Sequence, residues 1–126
     1  MKTAQDRVAA AKQKIREISV DEAGSAIQHA SLLIDVREPA EFQQGHLAGA
    51  INIPRGMLEF RMGSTPALEQ RDQTIVLYCK TSGRSALAAL ALQEMGYVDV
   101  VSVTGGFDAW VSAGKAVVKP DLPEFG

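Results

Sequence analysis

The sequence feature that most constrains the fold is a polar turn held between two apolar runs. The first run, Thr74 to Tyr78, is continuous and partly β-branched, as in a strand buried on both faces. The second run, Ala86 to Leu92, is apolar almost all round, which is typical of a buried helix. A chain that buries both a strand and the helix after it needs a sheet covered on both faces. The pattern therefore predicts an α/β fold with a mostly parallel sheet.

The rest of the chain alternates between strand and helix in the same way. Further strands are predicted at 32–36, 50–54 and 98–103. Helices are predicted at 4–17, 21–30, 38–44, 57–63, 85–95 and 106–113, the second of them capped by Asp21. The first helix has a narrow apolar stripe, so we expect it to dock on the domain surface; the stripe consists of Val8, Ala11, Ile15 and Ile18.

Length, charge and cysteine content exclude several classes of protein. A chain of 126 residues, 46% of them apolar, suits one compact core. Its formal net charge of −2 offers no basic surface to nucleic acid. A single cysteine forms no internal disulfide and no cysteine-rich zinc site. The N-terminus is polar and no run reaches the length of a membrane span, so we expect no membrane binding. Together with the single cysteine and the net charge, this predicts a cytoplasmic protein that binds no nucleic acid. We expect it to be a monomer or a weak homodimer.

The segments that follow the predicted strands carry most of the chemistry. In a parallel α/β sheet, ligands bind beyond the carboxyl ends of the strands. The sequence therefore predicts that four segments meet at one edge, namely 35–37, 54–56, 79–84 and 104–107. The third segment begins with the only cysteine in the chain, Cys79.

The turn after Cys79 is suited to holding an anion. Gly83 permits backbone angles that other residues resist, so that successive N–H groups can point into one concavity. Ser85 opens the following helix, whose first amides and positive dipole end face the same place. Since helix N-termini and cations favour a thiolate, Cys79 is the predicted nucleophile, and a buried structural cysteine is the alternative. The predicted binding residues are Lys80, Thr81, Ser82, Gly83, Arg84 and Ser85.

Three residues near other strand ends are predicted to support this site. Asp35 lies inside the apolar run 32–36, where a buried carboxylate needs a partner, and Arg37 is two residues further on the same strand face. We expect an ion pair or a loop anchor there. Arg37 and Arg55 both follow strand ends, where each could attract an anionic donor or form a structural salt bridge. For His46, a turn histidine bonded to the backbone is favoured over a base or a ligand.

With these residues in place, the sequence resembles the rhodanese family of sulfurtransferases over about residues 17–115. The resemblance rests on LIDVREPAEFQQGHLAGAINIP (33–54), IVLYCKTSGRSALAALALQEMGY (75–97) and VTGGFDAW (103–110). It implies a rhodanese-like three-layer fold at 18–118, with a central, mostly parallel five-stranded sheet flanked by helices. To this domain the chain adds an N-terminal helix at 1–17 and an extended tail at 119–126.

The resemblance also implies an activity. Family members use a catalytic cysteine, here Cys79, to carry a sulfane sulfur as a persulfide. The implied donor is a small anion, thiosulfate or a persulfide, and the implied acceptor is a thiol, cyanide or a sulfur-accepting protein. No cofactor and no metal are implied.

Two other activities are compatible with the same residues. One is a noncatalytic sulfur-relay or binding module that acts with a protein partner, which the N-terminal helix could contact. The other is a phosphatase or arsenate reductase of related fold. The phosphatase loop has five residues between cysteine and arginine, whereas four lie between Cys79 and Arg84. A reductase would need a second cysteine to resolve a disulfide.

Overall fold

The structure, a computed structural model, describes residues 1–120. The helices are α1 (Ala4–Lys12), α2 (Val20–His29), α3 (Pro39–Gln44), α4 (Leu58–Ser64), α5 (Gly83–Glu94) and α6 (Gly106–Ser112). The strands are β1 (Arg16–Ile18), β2 (Leu32–Asp35), β3 (Ile51–Asn52), β4 (Thr74–Tyr78) and β5 (Asp99–Val103). Single 3₁₀ turns occupy Arg55–Met57 and Pro66–Leu68. Most of the tail predicted at 119–126 lies outside the described residues.

The five strands form one parallel sheet in the order β1-β5-β4-β2-β3, which confirms the predicted fold class. The strand predicted to be buried on both faces, β4, is the central one. Successive side chains of β4 point to opposite faces, so that Ile75 and Leu77 enter one apolar cluster and Val76 and Tyr78 the other. Each face of the sheet therefore has its own core.

Helices cover both faces and complete the three layers. The first cluster contains residues of α4 and α5, and α1 packs on the outside of α5. The second cluster contains residues of α2 and α6. In the described part of the chain, no helix combines the length and the hydrophobicity needed to cross a bilayer.

Several boundaries differ from the prediction, and the strand predicted at 50–54 is reduced to Ile51–Asn52. The first helix ends at Lys12, and Arg16–Ile18 forms the edge strand β1 beside β5 instead of the predicted end of that helix. The second helix is capped by Ser19, whose side chain accepts a hydrogen bond from the Glu22 amide, and not by Asp21. The helix after the cysteine turn begins at Gly83, two residues earlier than predicted.

Candidate active site

The thiol of Cys79 lies directly after the central strand, beneath the turn formed by residues 79–85, which we call the thiol loop. The residue is only 1% exposed and belongs to the first apolar cluster. Its polar contacts come from Ser85 in the first turn of α5. The Ser85 amide donates to Sγ across 3.4 Å, and Sγ itself donates to Ser85 Oγ across 3.5 Å. The sulfur is therefore buried but has a backbone donor aimed at it.

A buried serine pair extends this contact to the next strand. The Ser85 hydroxyl lies 2.8 Å from Ser102 Oγ on β5, and it donates to the carbonyl oxygen of Ser82 across 3.3 Å. Ser85 and Ser102 are both fully buried. Sequence reasoning missed Ser102, although a hydroxyl inside the apolar run Val100–Val103 was a usable signal.

The N-terminus of α6 fixes the backbone of the thiol loop. The amides of Phe107 and Asp108 donate to the carbonyl oxygens of Cys79 and Lys80 at 2.8 and 3.0 Å. The helix reaches this position because Gly106 has no side chain: a Cβ there would lie 2.5 Å from the carbonyl oxygen of Thr81. The segment 104–107 does meet the loop as predicted, but through backbone hydrogen bonds that spacing alone did not indicate.

Both cations of the thiol loop are held by carboxylates. Arg84 forms a two-bond contact with Glu41 of α3, at 2.7 and 3.1 Å, and Lys80 pairs with Asp108 at 2.7 Å. The Arg84 hydrogen bonds lower the pKa of Glu41 to about 2, against the smaller effect of burial. The hydrogen bonds that Arg84 donates to Glu41 likewise raise the pKa of Arg84. Glu41 was not predicted to belong to the site.

Asp35 and Arg37 form a buried ion pair, as predicted from their spacing. Arg37 is 3% exposed and contacts both carboxylate oxygens of Asp35, at 2.7 to 3.0 Å. It also donates to the carbonyl oxygen of Gly45 at 2.7 Å and stacks on the Phe107 ring at 4.2 Å. Burial alone would lower the pKa of Arg37, but the hydrogen bonds that it donates to the charged Asp35 outweigh burial and raise it. The pair ties the end of β2 to α3 and α6.

Arg55 and His46, two further residues that the sequence singled out, are held by neighbours of their own chain segment. Arg55 forms a salt bridge with Glu59 one turn on in the chain, with 2.7 Å between Nη1 and Oε1. His46 stacks on the Phe42 ring at 3.7 Å, and its Nδ1 lies 3.2 Å from the Phe42 carbonyl oxygen. The bonded turn histidine that the sequence favoured is therefore the one present. Among the described residues, no group of three His, Cys, Asp or Glu side chains is arranged to hold a metal ion.

The N-terminal helix contacts the thiol loop from outside. Lys12 Nζ donates to Ser82 Oγ at 2.6 Å, and Val8 lies against Gly83. An open groove of about 410 Å³ runs between α1 and the loop, lined by Ala4, Gln5, Val8, Ala9, Lys12, Thr81, Ser82 and Gly83. In the part of the chain that the structure describes, Ser85 is the one predicted binding residue whose backbone N–H donates a hydrogen bond to Sγ. The roles of the other loop amides stay predictions.

Comparison with known proteins places this geometry in a family. The model of the rhodanese-like domain matches residues 19–113. A sulfurtransferase of Allochromatium vinosum is 36% identical over 90 residues, which are 71% of this chain and 80% of that protein. Thiosulfate sulfurtransferase PspE of Escherichia coli is 39% identical over 72 residues, or 57% of this chain and 67% of that protein.

A solved structure adds a similar fold with a different description. It is a Rhodopseudomonas palustris protein of unknown function, described as a possible tyrosine phosphatase. It is 29% identical, has a TM-score of 0.85, and the match covers 94% of this chain and 96% of that one.

Proposed function

This chain belongs to the rhodanese-like domain family and is a sulfurtransferase, and from that premise we propose that Cys79 carries the transferred sulfur as a persulfide. The observation that carries the proposal is the position of Sγ at the end of the central strand, 3.4 Å from the Ser85 amide. A backbone donor at a helix N-terminus stabilises negative charge on sulfur without a general base. That charge is needed on the thiolate before the first step and on the persulfide after it.

The reaction has two displacement steps on sulfur. In the first, the Cys79 thiolate attacks the sulfane sulfur of thiosulfate or of a persulfide. A new S–S bond forms, the donor's S–S bond breaks, and sulfite or a thiolate leaves with the electron pair. In the second step, an acceptor thiolate attacks the outer sulfur of the Cys79 persulfide. The acceptor leaves as a persulfide and the Cys79 thiolate is restored, so no outside oxidant or reductant is used.

The buried serines can rearrange their hydrogen bonds when the sulfur loses its proton. In the thiol form, Sγ donates to Ser85 Oγ. Once the proton has left, the Ser85 hydroxyl can turn its hydrogen from the Ser82 carbonyl to the sulfur, while the Ser102 hydroxyl at 2.8 Å donates to Ser85 Oγ. The sulfur would then receive two hydrogen bonds, one of them from a fixed amide. We assign Ser85 as the principal donor and Ser102 as the residue that orients it.

The proposal is tested by weighing the intact protein after incubation with thiosulfate. Because Cys79 is the only cysteine, a mass increase of one sulfur atom is assigned to it without mapping. We expect that increase together with an equal amount of free sulfite. Cys79→Ser, in which the sulfur nucleophile is replaced by a poor one, should gain no sulfur and release no sulfite. Sulfur transfer by Cys79→Ser at a rate near that of the parent would falsify the assignment.

The choice of donor or substrate separates the other activities. A relay module would gain sulfur from the persulfide of a partner protein and from no small donor. A phosphatase, the possible activity named for the Rhodopseudomonas palustris protein, would turn over p-nitrophenyl phosphate in a separate assay. The loop here has four residues between Cys79 and Arg84, and we expect no phosphate release. We also expect activity with thiols as acceptors, and cyanide serves as the laboratory acceptor.

A further inference from the structure

The four cations predicted near the sheet edge are each held by a carboxylate, which changes what the site can attract. In every pair a nitrogen lies 2.7 Å from an oxygen; the pairs are Asp35–Arg37, Glu59–Arg55, Asp108–Lys80 and Glu41–Arg84. A paired cation presents little net charge to an approaching anion. The cations that the sequence would assign to a doubly charged donor are thus already neutralised.

The pair on Arg84 bears most directly on the sulfur. Arg84 is the second residue of α5, next to Ser85, whose amide donates to Cys79 Sγ. Its guanidinium presents two N–H groups to the two oxygens of Glu41, the geometry in which arginine binds a carboxylate or an oxyanion most strongly. Glu41 therefore occupies the fork of Arg84 and leaves it closed to an oxyanion.

Glu41 is itself fixed by its own helix. Its Oε1 accepts a hydrogen bond from the Glu38 amide at 3.0 Å, as part of the capping box that begins α3. The pKa of Glu41, at about 2, keeps the carboxylate charged throughout the working range of a protein. The carboxylate is therefore both positioned and ionised, and it does not leave Arg84 on protonation near neutral pH.

One cation beside the thiol loop is paired less closely. Lys12 of α1 donates from Nζ to Ser82 Oγ at 2.6 Å and forms a longer salt bridge with Glu17, with 3.6 Å between Nζ and Oε2. The site thus combines two closely paired cations with one ammonium group whose carboxylate partner is farther away. That balance suits a donor with one negative charge better than a donor with two.

From this arrangement we propose that Glu41, assisted by Asp108, is a specificity determinant that makes the site prefer a singly charged alkyl persulfide over the thiosulfate dianion. The inference rests on the proposed function, since it concerns which donor gives its sulfur to Cys79. Glu41 acts by position and charge: it withholds Arg84 from an oxyanion and adds a negative charge that repels a dianion twice as strongly as a monoanion.

The test compares kcat/KM for thiosulfate and for hydroxyethyl persulfide in the parent protein, Glu41→Gln and Asp108→Asn. We expect the parent to be more efficient with the persulfide. Glu41→Gln keeps an oxygen for the Glu38 amide but loses the charge, and should raise kcat/KM about tenfold for thiosulfate and about threefold for the persulfide. Asp108→Asn, which releases the more exposed Lys80, should act in the same direction with a smaller ratio.

Glu69→Gln is the matched control, because it removes the same charge elsewhere. Glu69 belongs to the segment that Arg71 ties to the C-terminal end of α5, about 18 Å along that helix from the thiol loop. It should leave both kcat/KM values within about twofold. Raising the salt concentration should slow thiosulfate more in Glu41→Gln than in the parent, since a freed Arg84 attracts the dianion through screened charge.

The inference is overturned if the parent uses thiosulfate at least as efficiently as the persulfide. It is also overturned if Glu41→Gln and Asp108→Asn leave the ratio of the two kcat/KM values unchanged. Either result would leave the proposed function standing, because Cys79 would still gain sulfur. If neither donor adds sulfur to the parent protein, the proposed function fails and the inference fails with it.

Discussion

Gly106 shows how a residue without a side chain can fix the loop that carries the predicted nucleophile. Its φ of +56° lies in the left-handed region, and a Cβ would lie 2.5 and 2.9 Å from the carbonyl oxygens of Thr81 and Lys80. Those oxygens belong to the loop whose carbonyls accept the first amides of α6. The helix can approach the thiol loop this closely only with glycine at 106.

We therefore expect Gly106→Ala to destabilise the protein by about 3 kcal/mol and to slow sulfur transfer, because the loop must move to admit a methyl group. Gly114→Ala is the control: its φ is +77°, but a Cβ there meets nothing within 4 Å. It should cost about 1 kcal/mol from backbone strain alone. Denaturant unfolding and the sulfuration rate measure both effects. Equal losses in the two variants would contradict the close approach of α6.

Two ion pairs illustrate which residue contacts a sequence can reveal. Asp35 ends β2 and Arg37 follows it by two residues, the spacing at which side chains of an extended chain share a face, so their pairing followed from the sequence. Glu41 and Arg84 are 43 residues apart, on two different helices, α3 and α5. No local pattern links them. The donor preference inferred from Glu41 was for that reason invisible in the sequence, whereas Cys79 and its loop were not.

At the scale of secondary-structure elements, the N-terminal helix acts as a support for the thiol loop. It lies outside residues 19–113, the part of the chain that matches the family model. Its contacts nevertheless fall on the loop: Lys12 reaches Ser82, and Val8 lies against Gly83. The carbonyl oxygen of Ser82 also accepts a hydrogen bond from the Ser85 hydroxyl. Ser82 therefore links the helix to Ser85, the residue that contacts Sγ.

We expect Lys12→Met to loosen the loop without unfolding the helix, because methionine keeps a long apolar stem and loses the ammonium group that bonds Ser82 and pairs with Glu17. A hydrogen bond worth about 1 kcal/mol corresponds to roughly a fivefold faster amide hydrogen exchange in residues 80–85. Lys14→Met removes an exposed ammonium group two residues further on and should leave that exchange unchanged. Identical exchange in both variants would show that α1 does not brace the loop.

The elements that the sequence predicted best are those whose burial is decided locally. The run Thr74–Tyr78 is apolar at nearly every position, and it became the central strand. Arg16–Ile18 gave no such signal. Its Ile18 continues the helical spacing of Val8, Ala11 and Ile15, and three residues are too few to display a strand period. Its state is set by pairing with β5, a tertiary contact that overrides the local pattern.

At the scale of the whole molecule, the parallel topology brings the chemistry together. The thiol loop follows β4, Arg37 follows β2, and the glycine turn before α6 follows β5, and these three strands are neighbours in the sheet. The general rule for parallel sheets therefore predicted correctly that these three segments lie together at one edge of the sheet. The rule could not predict which charged groups at that edge pair with one another and which face a ligand. The cations expected to face a ligand are instead each paired with a carboxylate.

This internal pairing makes a prediction for the stability of the whole protein in acid. The pKa values of four carboxyls are lowered, those of Asp6, Glu22, Glu41 and Glu59. For Asp6 and Glu22 the main cause is hydrogen bonding at a helix start, and for Glu41 it is the hydrogen bonds from Arg84. For Glu59, burial raises the pKa, but the hydrogen bonds from Arg55 and from its own backbone outweigh burial. A carboxyl whose pKa is depressed by folding adds stability above its unfolded pKa, and the stability is lost as pH falls through the folded value. We therefore expect the free energy of unfolding to decline from near pH 4.5 downwards.

Glu41 should account for a measurable part of that decline, because its pKa moves from 4.5 to about 2 and its side chain is only 30% exposed. After allowance for solvent screening we expect about 1 kcal/mol, lost between pH 4.5 and 2. Urea unfolding at a series of pH values should show a flatter acid limb for Glu41→Gln than for the parent, while Glu69→Gln should follow the parent curve. A Glu41→Gln curve parallel to that of the parent through this window would mean that Glu41 is not held by Arg84, and the donor preference inferred from the pair would lose its physical basis.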